Sequence, residues 1–347
     1  MPSKKPNPFT GPRRNAGSSS PQIPLRLRTN TGPYFPGPYS FAESSVRQFF
    51  AIIGHPVSHS LSPLFQQAAF DEAGIEAAYL PFDIPPEALK QGLFALRSLN
   101  VSGFNITLPH KEVMMGETDR ISETAREIGA VNTVISQRGD WIGENTDGPG
   151  FLQALERFLE ENRLPFPSRV LIFGAGGSAR AVLWALARRR VGEVCLVNRT
   201  LERAKQLLEG PLPAMIPNRH PCALDDPSWK DWLRKAPVPL LVNTLSLRAF
   251  ADARAPFPPL SGISLSGISL FDLSYVACGS EKEKLDGKTP FLRMGDSTKS
   301  PRQNGLGMLL CQGALAFELW TGKKAPVDRM EEALRRATGQ KSLWKSL

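Results

Sequence analysis

The sequence predicts an α/β protein with two domains, on three observations. Strand-like and helix-like segments alternate from Phe49 onward, which implies a mainly parallel sheet covered by helices. Residues 169–190, RVLIFGAGGSARAVLWALARRR, read as a buried strand, a glycine turn and an apolar-rich helix, the opening of a second βαβ unit. A chain of 347 residues is also long enough to give each unit a core.

In chain order, residues 1–45 are rich in Pro, Ser, Gly and Arg and lack apolar periodicity, so they read as a disordered tail. The tail could pass for an organelle transit peptide, but a floppy extension or an upstream start codon is the preferred reading. The first domain spans 46–148. Its expected elements are strand 50–54, helix 63–73, strand 79–84, helix 86–99 and strand 103–108, then helices 111–115 and 118–128 and strands 131–136 and 141–145. Helix 150–161 carries Phe151, Leu155, Phe158 and Leu159 on one face and leads through Leu164-Pro165-Phe166-Pro167 into the second domain, 149–305. A terminal helical pair, 307–320 and 327–337, closes the chain within 306–347.

Charge and cysteine content narrow the function classes. The 42 basic and 33 acidic residues give a net charge of +9. Residues 1–42 supply six of that excess (Lys4, Lys5, Arg13, Arg14, Arg26, Arg28) and no acid, so the rest gives no argument for nucleic acid. Cys195, Cys222, Cys278 and Cys311 lie far apart, with neither metal spacing nor a disulfide framework, which fits a reducing cytoplasm. No uncharged run approaches the roughly 20 apolar residues that span a membrane.

The glycine turn spells G-x-G-x-x-A through Gly174, Gly176 and Ala179, with Ala175, Gly177 and Ser178 between. Such a turn brings bare backbone and helix N–H groups to a pyrophosphate. Glycine turns also occur without a ligand, but the strand at 193–197 arrives on schedule for a dinucleotide-binding unit. An NAD site usually ends that strand with an acid, whereas here stand Asn198, Arg199 and Thr200, with Arg203 one helical turn on. Guanidinium groups suit a 2′-phosphate, so the cofactor expected is NADP. The plain alternative is a solvated Arg pair.

Four polar clusters of the first domain need an explanation. Ser58-His59-Ser60-Leu61-Ser62-Pro63 offers hydroxyls and N–H groups for a carboxylate, but Ser62 could equally cap a helix with Pro63 at its first position. In Asn105-Ile106-Thr107-Leu108-Pro109-His110-Lys111, Asn105 and Thr107 share one side of a strand and Lys111 lies in the next helix's first turn. A lysine there opposes the helix dipole, which invites a functional reason such as proton transfer, although most lysines are surface charges. Gly129-Ala130-Val131-Asn132-Thr133 places an amide at a strand entry. Glu144-Asn145-Thr146-Asp147-Gly148 ends a strand, where Asp147 is either a helix cap or a carboxylate sharing a cleft with the lysine.

These pieces together resemble the shikimate dehydrogenase family. IGHPVSHSLSP, NITLPHK, GAVNT, NTDGPGF, FGAGGSARA, NRTLERA and GLGMLLCQGA occur in the family's order, over about residues 50–337. The resemblance implies an N-terminal α/β substrate domain, a Rossmann-like NADP-binding domain and a cleft between them. It implies reversible NADPH-dependent reduction of 3-dehydroshikimate to shikimate. Carried over motif by motif, Lys111 and Asp147 form the catalytic pair, and Ser60 and Ser62 hold the substrate carboxylate with Tyr275 nearby. Thr107, Asn132 and Gln312 bind ring hydroxyls. Gly305 and Met308, in the last motif, border the cofactor together with the glycine turn. The partner is a small-molecule substrate and the chemistry needs no metal. A homodimer stays open, because nothing in the sequence fixes the oligomeric state.

Departures cluster in the cofactor half. Where the family has Asn-Ala-Thr-Ser-x-Gly, this chain reads Asn243-Thr244-Leu245-Ser246-Leu247-Arg248. A tandem SGISL covers 261–270, of which one copy need be strand, the loop 276–288 is long, and 295–304 is polar where the family has a helix and an edge strand. An irregular cofactor half is therefore expected. The rivals are a quinate or NAD-using dehydrogenase, and a regulatory homologue that kept the pocket but lost hydride transfer.

Overall fold

The computed structural model describes residues 48–210, 213–235, 240–246, 263–276, 287–298 and 300–344. The expected tail, Cys278, Arg248 and most of the loop 276–288 lie outside the described residues. Among the described residues two six-stranded sheets carry the fold.

The first sheet comprises β1 (Gln48–Gly54), β2 (Ala77–Asp83), β3 (Gly103–Ile106), β4 (Arg120–Ile121), β5 (Thr133–Gln137) and β6 (Asp140–Glu144), in the order β2-β1-β3-β5-β6-β4. β1 runs parallel to β2 and β3, and β4 to β6. β5 is antiparallel to β3 and β6. The reversal between β5 and β6 rests on Arg138 and Gly139, both at positive φ (55° and 90°), the two-residue turn that matches strand twist. Helices α1 (Ser62–Glu72), α2 (Leu89–Ser98) and α3 (Glu123–Ile128) accompany this sheet.

Two expected helices here are corrected. Lys111 stands in a turn ahead of a short 3₁₀ helix (Val113–Gly116), not in a helix 111–115. The segment 118–128 is split by β4, because Asp119 N–H donates to Trp141 O at 2.9 Å and pulls the chain onto the sheet. Helical pattern alone does not register such a cross-chain bond.

The second sheet comprises β7 (Arg169–Phe173), β8 (Glu193–Asn198), β9 (Asn218–Ala223), β10 (Leu240–Asn243), β11 (Ser269–Asp272) and β12 (Arg302–Gln303). Their order is β12-β11-β10-β7-β8-β9, and every pairing is parallel. This is the doubly wound arrangement, whose strand order reverses between β7 and β10 and opens a crevice at their carboxyl ends. The helices that follow in sequence are α4 (Asp147–Glu161), α5 (Gly177–Arg188), α6 (Leu201–Glu209), α7 (Ser228–Lys235), α8 (Pro290–Arg293), α9 (Leu306–Thr321) and α10 (Val327–Thr338).

Residues 295–304 are less irregular than expected. Arg302 and Gln303 pair with Leu270 and Phe271 as an edge strand, and the second SGISL copy supplies the start of β11. Arg302 can occupy a buried strand position because its guanidinium donates to Leu292 O at 3.2 Å and pairs with Asp296. Polarity hid this strand from the sequence pattern.

Among the described residues, Cys195, Cys222 and Cys311 are free cysteines. Cys195 and Cys222, far apart in sequence, lie on neighbouring strands with their sulfurs 3.7 Å apart. The hydrogen bond from Cys195 draws the Cys222 thiol down to about 7.

α4 and α9 pack the two halves together. Gly150 on α4 lies so close to α9 that a Cβ there would stand 2.7 Å from the backbone nitrogen of Gln312. Phe50 of β1 stacks on Phe70 of α1 at 4.6 Å and meets Trp320 of α9 at 5.1 Å, tying α9 back to the first sheet. Between α3 and α5, Trp184 Nε1 donates to Glu127 at 2.8 Å. Among the described residues no helix is long and apolar enough to cross a membrane.

Candidate active site

The glycine turn follows β7 directly. Gly174 has φ +104°, and a side chain there would collide with the Thr244 hydroxyl, which donates to Phe173 O at 2.7 Å. Gly176 precedes α5 in extended backbone, with open space where a Cβ would stand. The N-terminal N–H groups of α5 therefore face a bare approach suited to a diphosphate. At the end of β8, Asn198 Nδ2 donates to Thr200 O at 2.9 Å and shapes the turn into α6. Arg199 and Arg203 are exposed, and neither has a carboxylate partner among the described residues. These groups fit an anionic dinucleotide with a 2′-phosphate.

Beside this turn lies the predicted pair. Lys111 Nζ donates to Asp147 Oδ2 at 2.7 Å, with both side chains mostly buried (12% and 7% exposed). Gly177 packs against Lys111, its Cβ position 3.4 Å from the lysine Cβ. Asp147 is not the cap of α4. Asn145 Oδ1 accepts from the N–H of Asp147 (3.0 Å) and of Gly148 (3.2 Å), and Asn145 Nδ2 donates to Ala130 O at 2.8 Å. The Asp147 carboxylate is thereby released toward Lys111.

The pair lines a cavity of about 180 Å³ that also takes in Ser60, Ser62, Thr107, Asn132, Tyr275 and Gln312. Ser178, Gly305 and Met308 border the same cavity, so the cofactor-side expectations meet the substrate-side ones there. Ser62 makes no side-chain cap on α1; instead its N–H donates to Ser60 Oγ at 3.2 Å. Both hydroxyls stay at the cavity wall. The glycine turn's Gly174, Ala175, Gly176 and Ala179, and the turn at Asn198–Arg203, do not line this cavity. A second cavity of about 530 Å³ shares Ser60, Thr107, Ser178 and Tyr275 with the first and adds His55, Thr244 and Leu245. The departing residue Leu245 thus forms an apolar wall on the cofactor side.

Sequence reasoning missed several supporting groups. Asn145 orients Asp147. Thr146 N–H donates to Asn132 Oδ1 at 2.7 Å. Asp272 anchors the loops on the cofactor side: its carboxylate accepts from Ser274 N (2.9 Å), Asn243 Nδ2 (2.8 Å) and Thr289 Oγ1 (2.5 Å). Burial pushes Asp272 up to about 6 despite these bonds. A run of alternating Asn and Thr near strand ends is the only signal in the sequence for such a network.

The chain matches three family models in succession: shikimate dehydrogenase substrate binding domain over residues 52–134, shikimate / quinate 5-dehydrogenase over 162–214, and shikimate 5′-dehydrogenase C-terminal domain over 305–335. The NADP⁺ shikimate dehydrogenase of Methanopyrus kandleri is 39% identical over 285 residues, 82% of this chain and 93% of that one. The crystal structure of shikimate dehydrogenase from Aquifex aeolicus superposes with a TM-score of 0.71 at 34% identity, covering 84% of this chain and 99% of the other. The Thermus thermophilus shikimate 5-dehydrogenase in complex with NADP(H) and shikimate superposes with a TM-score of 0.64 at 36% identity, over 84% of this chain and 99% of its own. The chain belongs to the shikimate dehydrogenase family.

Proposed function

We propose that this chain is an NADP-dependent shikimate dehydrogenase, reducing 3-dehydroshikimate reversibly to shikimate for aromatic amino acid biosynthesis. The observation that carries the reading is the Lys111–Asp147 pair, 2.7 Å apart, in a cavity bordered by Ser178 next to the glycine turn. Gly174, Ala175, Gly176, Gly177, Ser178 and Ala179 would hold the diphosphate, and Asn198, Arg199, Thr200 and Arg203 the 2′-phosphate end. When bound, NADPH supplies the hydride that reduces the substrate carbonyl.

The residues of the chain do the rest. As the carbonyl carbon is reduced, negative charge grows on its oxygen, and the Lys111 ammonium stabilises it and gives up one proton to make the hydroxyl. Asp147 keeps that ammonium aimed, and the ionic hydrogen bond between them is stronger for being largely out of water. In the oxidation direction the neutral lysine takes the hydroxyl proton. Ser60 and Ser62, with Tyr275 beside them, would bind the substrate carboxylate, while Thr107, Asn132 and Gln312 read ring hydroxyls. Fixing the ring in this way supplies orientation, worth up to several kcal/mol.

The reading places the enzyme in the cytoplasm, where a reducing medium keeps Cys195 and Cys222 as thiols. A homodimer is the oligomer to test, by sedimentation. The deciding assay follows nicotinamide absorbance with shikimate or quinate, each with NADP⁺ or NAD⁺. Shikimate with NADP⁺ is expected to be the fastest combination. Faster turnover of quinate or with NAD⁺ overturns that assignment, and no turnover with any pair overturns the enzyme.

A further inference from the structure

Tyr79 belongs to β2, is 3% exposed and lies outside the cavity wall, with its ring beside Trp320 at 6.1 Å between centroids. We propose that Tyr79 is a positioning residue of the hydroxyl-reading network: it completes the pairing of Asn105 and so holds in place the neighbouring Asn132, whose N–H₂ end is presented to the substrate. The proposal rests on the dehydrogenase reading.

The direction follows from groups that can play only one part. The two ends of an Asn amide have nearly the same outline, so neighbours decide which end points where. The backbone carbonyl of Asn132 only accepts, and it lies 3.3 Å from Asn105 Nδ2, so that end of Asn105 is the N–H₂. The other end, Oδ1, then requires a donor, and the Tyr79 hydroxyl supplies it at 2.7 Å. Burial holds the phenol's pKa well above its usual 10, so it keeps this proton at any working pH.

The same direction runs on from Asn105. Its Nδ2 donates to Thr133 Oγ1 at 3.0 Å, which leaves the Thr133 proton for Asn132 Oδ1 at 3.0 Å, the nearer of two acceptors, the other being Thr146 Oγ1 at 3.2 Å. Thr146 N–H, which only donates, meets Asn132 Oδ1 at 2.7 Å and agrees. Asn132 Nδ2 therefore faces Thr146 Oγ1 (3.0 Å) and Gln312 Oε1 (3.4 Å), and Gln312 Nε2 passes on to Leu309 O at 2.9 Å. The links through the amides and backbone groups point one way, while the Thr133 and Thr146 hydroxyls, 3.2 Å apart, can share a proton in either sense. A hydroxyl that reaches Asn132 is consequently met by a donor, the N–H that otherwise rests 3.4 Å from Gln312 Oε1.

Tyr79→Phe keeps the ring and deletes the only donor to Asn105 Oδ1 among the described residues. A buried acceptor left unpaired costs about 1–3 kcal/mol, or about 5- to 150-fold, and here that cost is relieved by loosening Asn105 and Asn132. The test measures initial rates for the wild type, Tyr79→Phe, Asn132→Ala and the double variant, varying shikimate and NADP⁺ separately. The expected result is a rise of at least about fivefold in KM for shikimate, with KM for NADP⁺ unmoved and kcat changed much less. In the Asn132→Ala background, Tyr79→Phe should add less than about twofold, because its effect passes through Asn132. Thr133→Val, which breaks the chain one link on with Tyr79 in place, should reproduce the signature and serves if Tyr79→Phe fails to fold. An unmoved KM for shikimate, or an equal Tyr79→Phe effect with and without Asn132, overturns the proposal alone. A wild type inert toward shikimate and quinate overturns the dehydrogenase reading and this proposal with it.

Discussion

Replacing Gly150 by Ala sets two effects of opposite sign against each other. Gly150 is within the first turns of α4, where Ala is preferred over Gly by up to about 1 kcal/mol. Against this, the new Cβ would stand 2.7 Å from both Gln312 N and Gln312 Cβ and 2.8 Å from its Cα. Ordinary contact begins near 3.4 Å, so α4 and α9 must separate by roughly 0.7 Å, and the obstacle is helix backbone rather than a side chain that can swing aside. Overpacking of this kind costs about 1–3 kcal/mol and outweighs the propensity gain. At about 2–4 °C per kcal/mol, Tm should fall by a few degrees. Gln312 moves with its helix and with it the contact to Asn132, so KM for shikimate should rise by about tenfold, since displacements near 1 Å can cost up to about a hundredfold. Differential scanning fluorimetry and shikimate kinetics on the same sample decide it. A higher Tm with an unchanged KM would mean the helices have room, and the packing argument would be wrong.

Three further outcomes follow from the geometry. Arg199→Ala should raise KM for NADP⁺ far more than for NAD⁺, because only the former carries the 2′-phosphate; equal effects undo the phosphate argument. Asp272 binds its proton up to about pH 6 when folded but only to 3.8 unfolded, so protonation favours the folded state. Its stabilising contribution is complete below about pH 4 and disappears as pH rises through 6, a span worth ~3 kcal/mol. Asp272→Asn should flatten urea stability between pH 4 and 7 by that order, and an unchanged pH slope would refute the assignment. Asn145→Ala removes the acceptor for Asp147 N–H and Gly148 N–H; it should lower kcat with less effect on KM for NADP⁺, and a variant with normal kcat would show that Asp147 is held without it.

The parts legible in the sequence are those whose chemistry is local. Gly174 and Ala179 announce strand, turn and helix because positive φ and a close Thr244 hydroxyl exclude bulk at the first and burial limits it at the second, while Gly176 leaves open the approach to the helix N-terminus. Lys111 and Asp147 stand out because charged residues at strand ends need a reason. What pattern could not give is pairing across the chain. The edge strand at Arg302–Gln303 is polar yet buried, since ion pairing replaces apolar burial there. Strand β4 is two residues long and is held by bonds to β6 that no periodicity records. Cys195 and Cys222 meet only through the parallel register of β8 and β9. Asp147 and Ser62 are both cap candidates in the sequence, and only the hydrogen bonds show that neither side chain caps its helix.

The central claim is that one amine and one carboxylate perform the proton transfer beside the glycine turn. The measurement that tests it most directly is kcat for shikimate oxidation by Lys111→Ala at saturating shikimate and NADP⁺. The account predicts a fall of at least about a hundredfold, the scale of general acid–base catalysis, in a variant that remains folded and still binds NADP⁺. A kcat near that of the wild type would remove Lys111 from the chemistry and contradict the account.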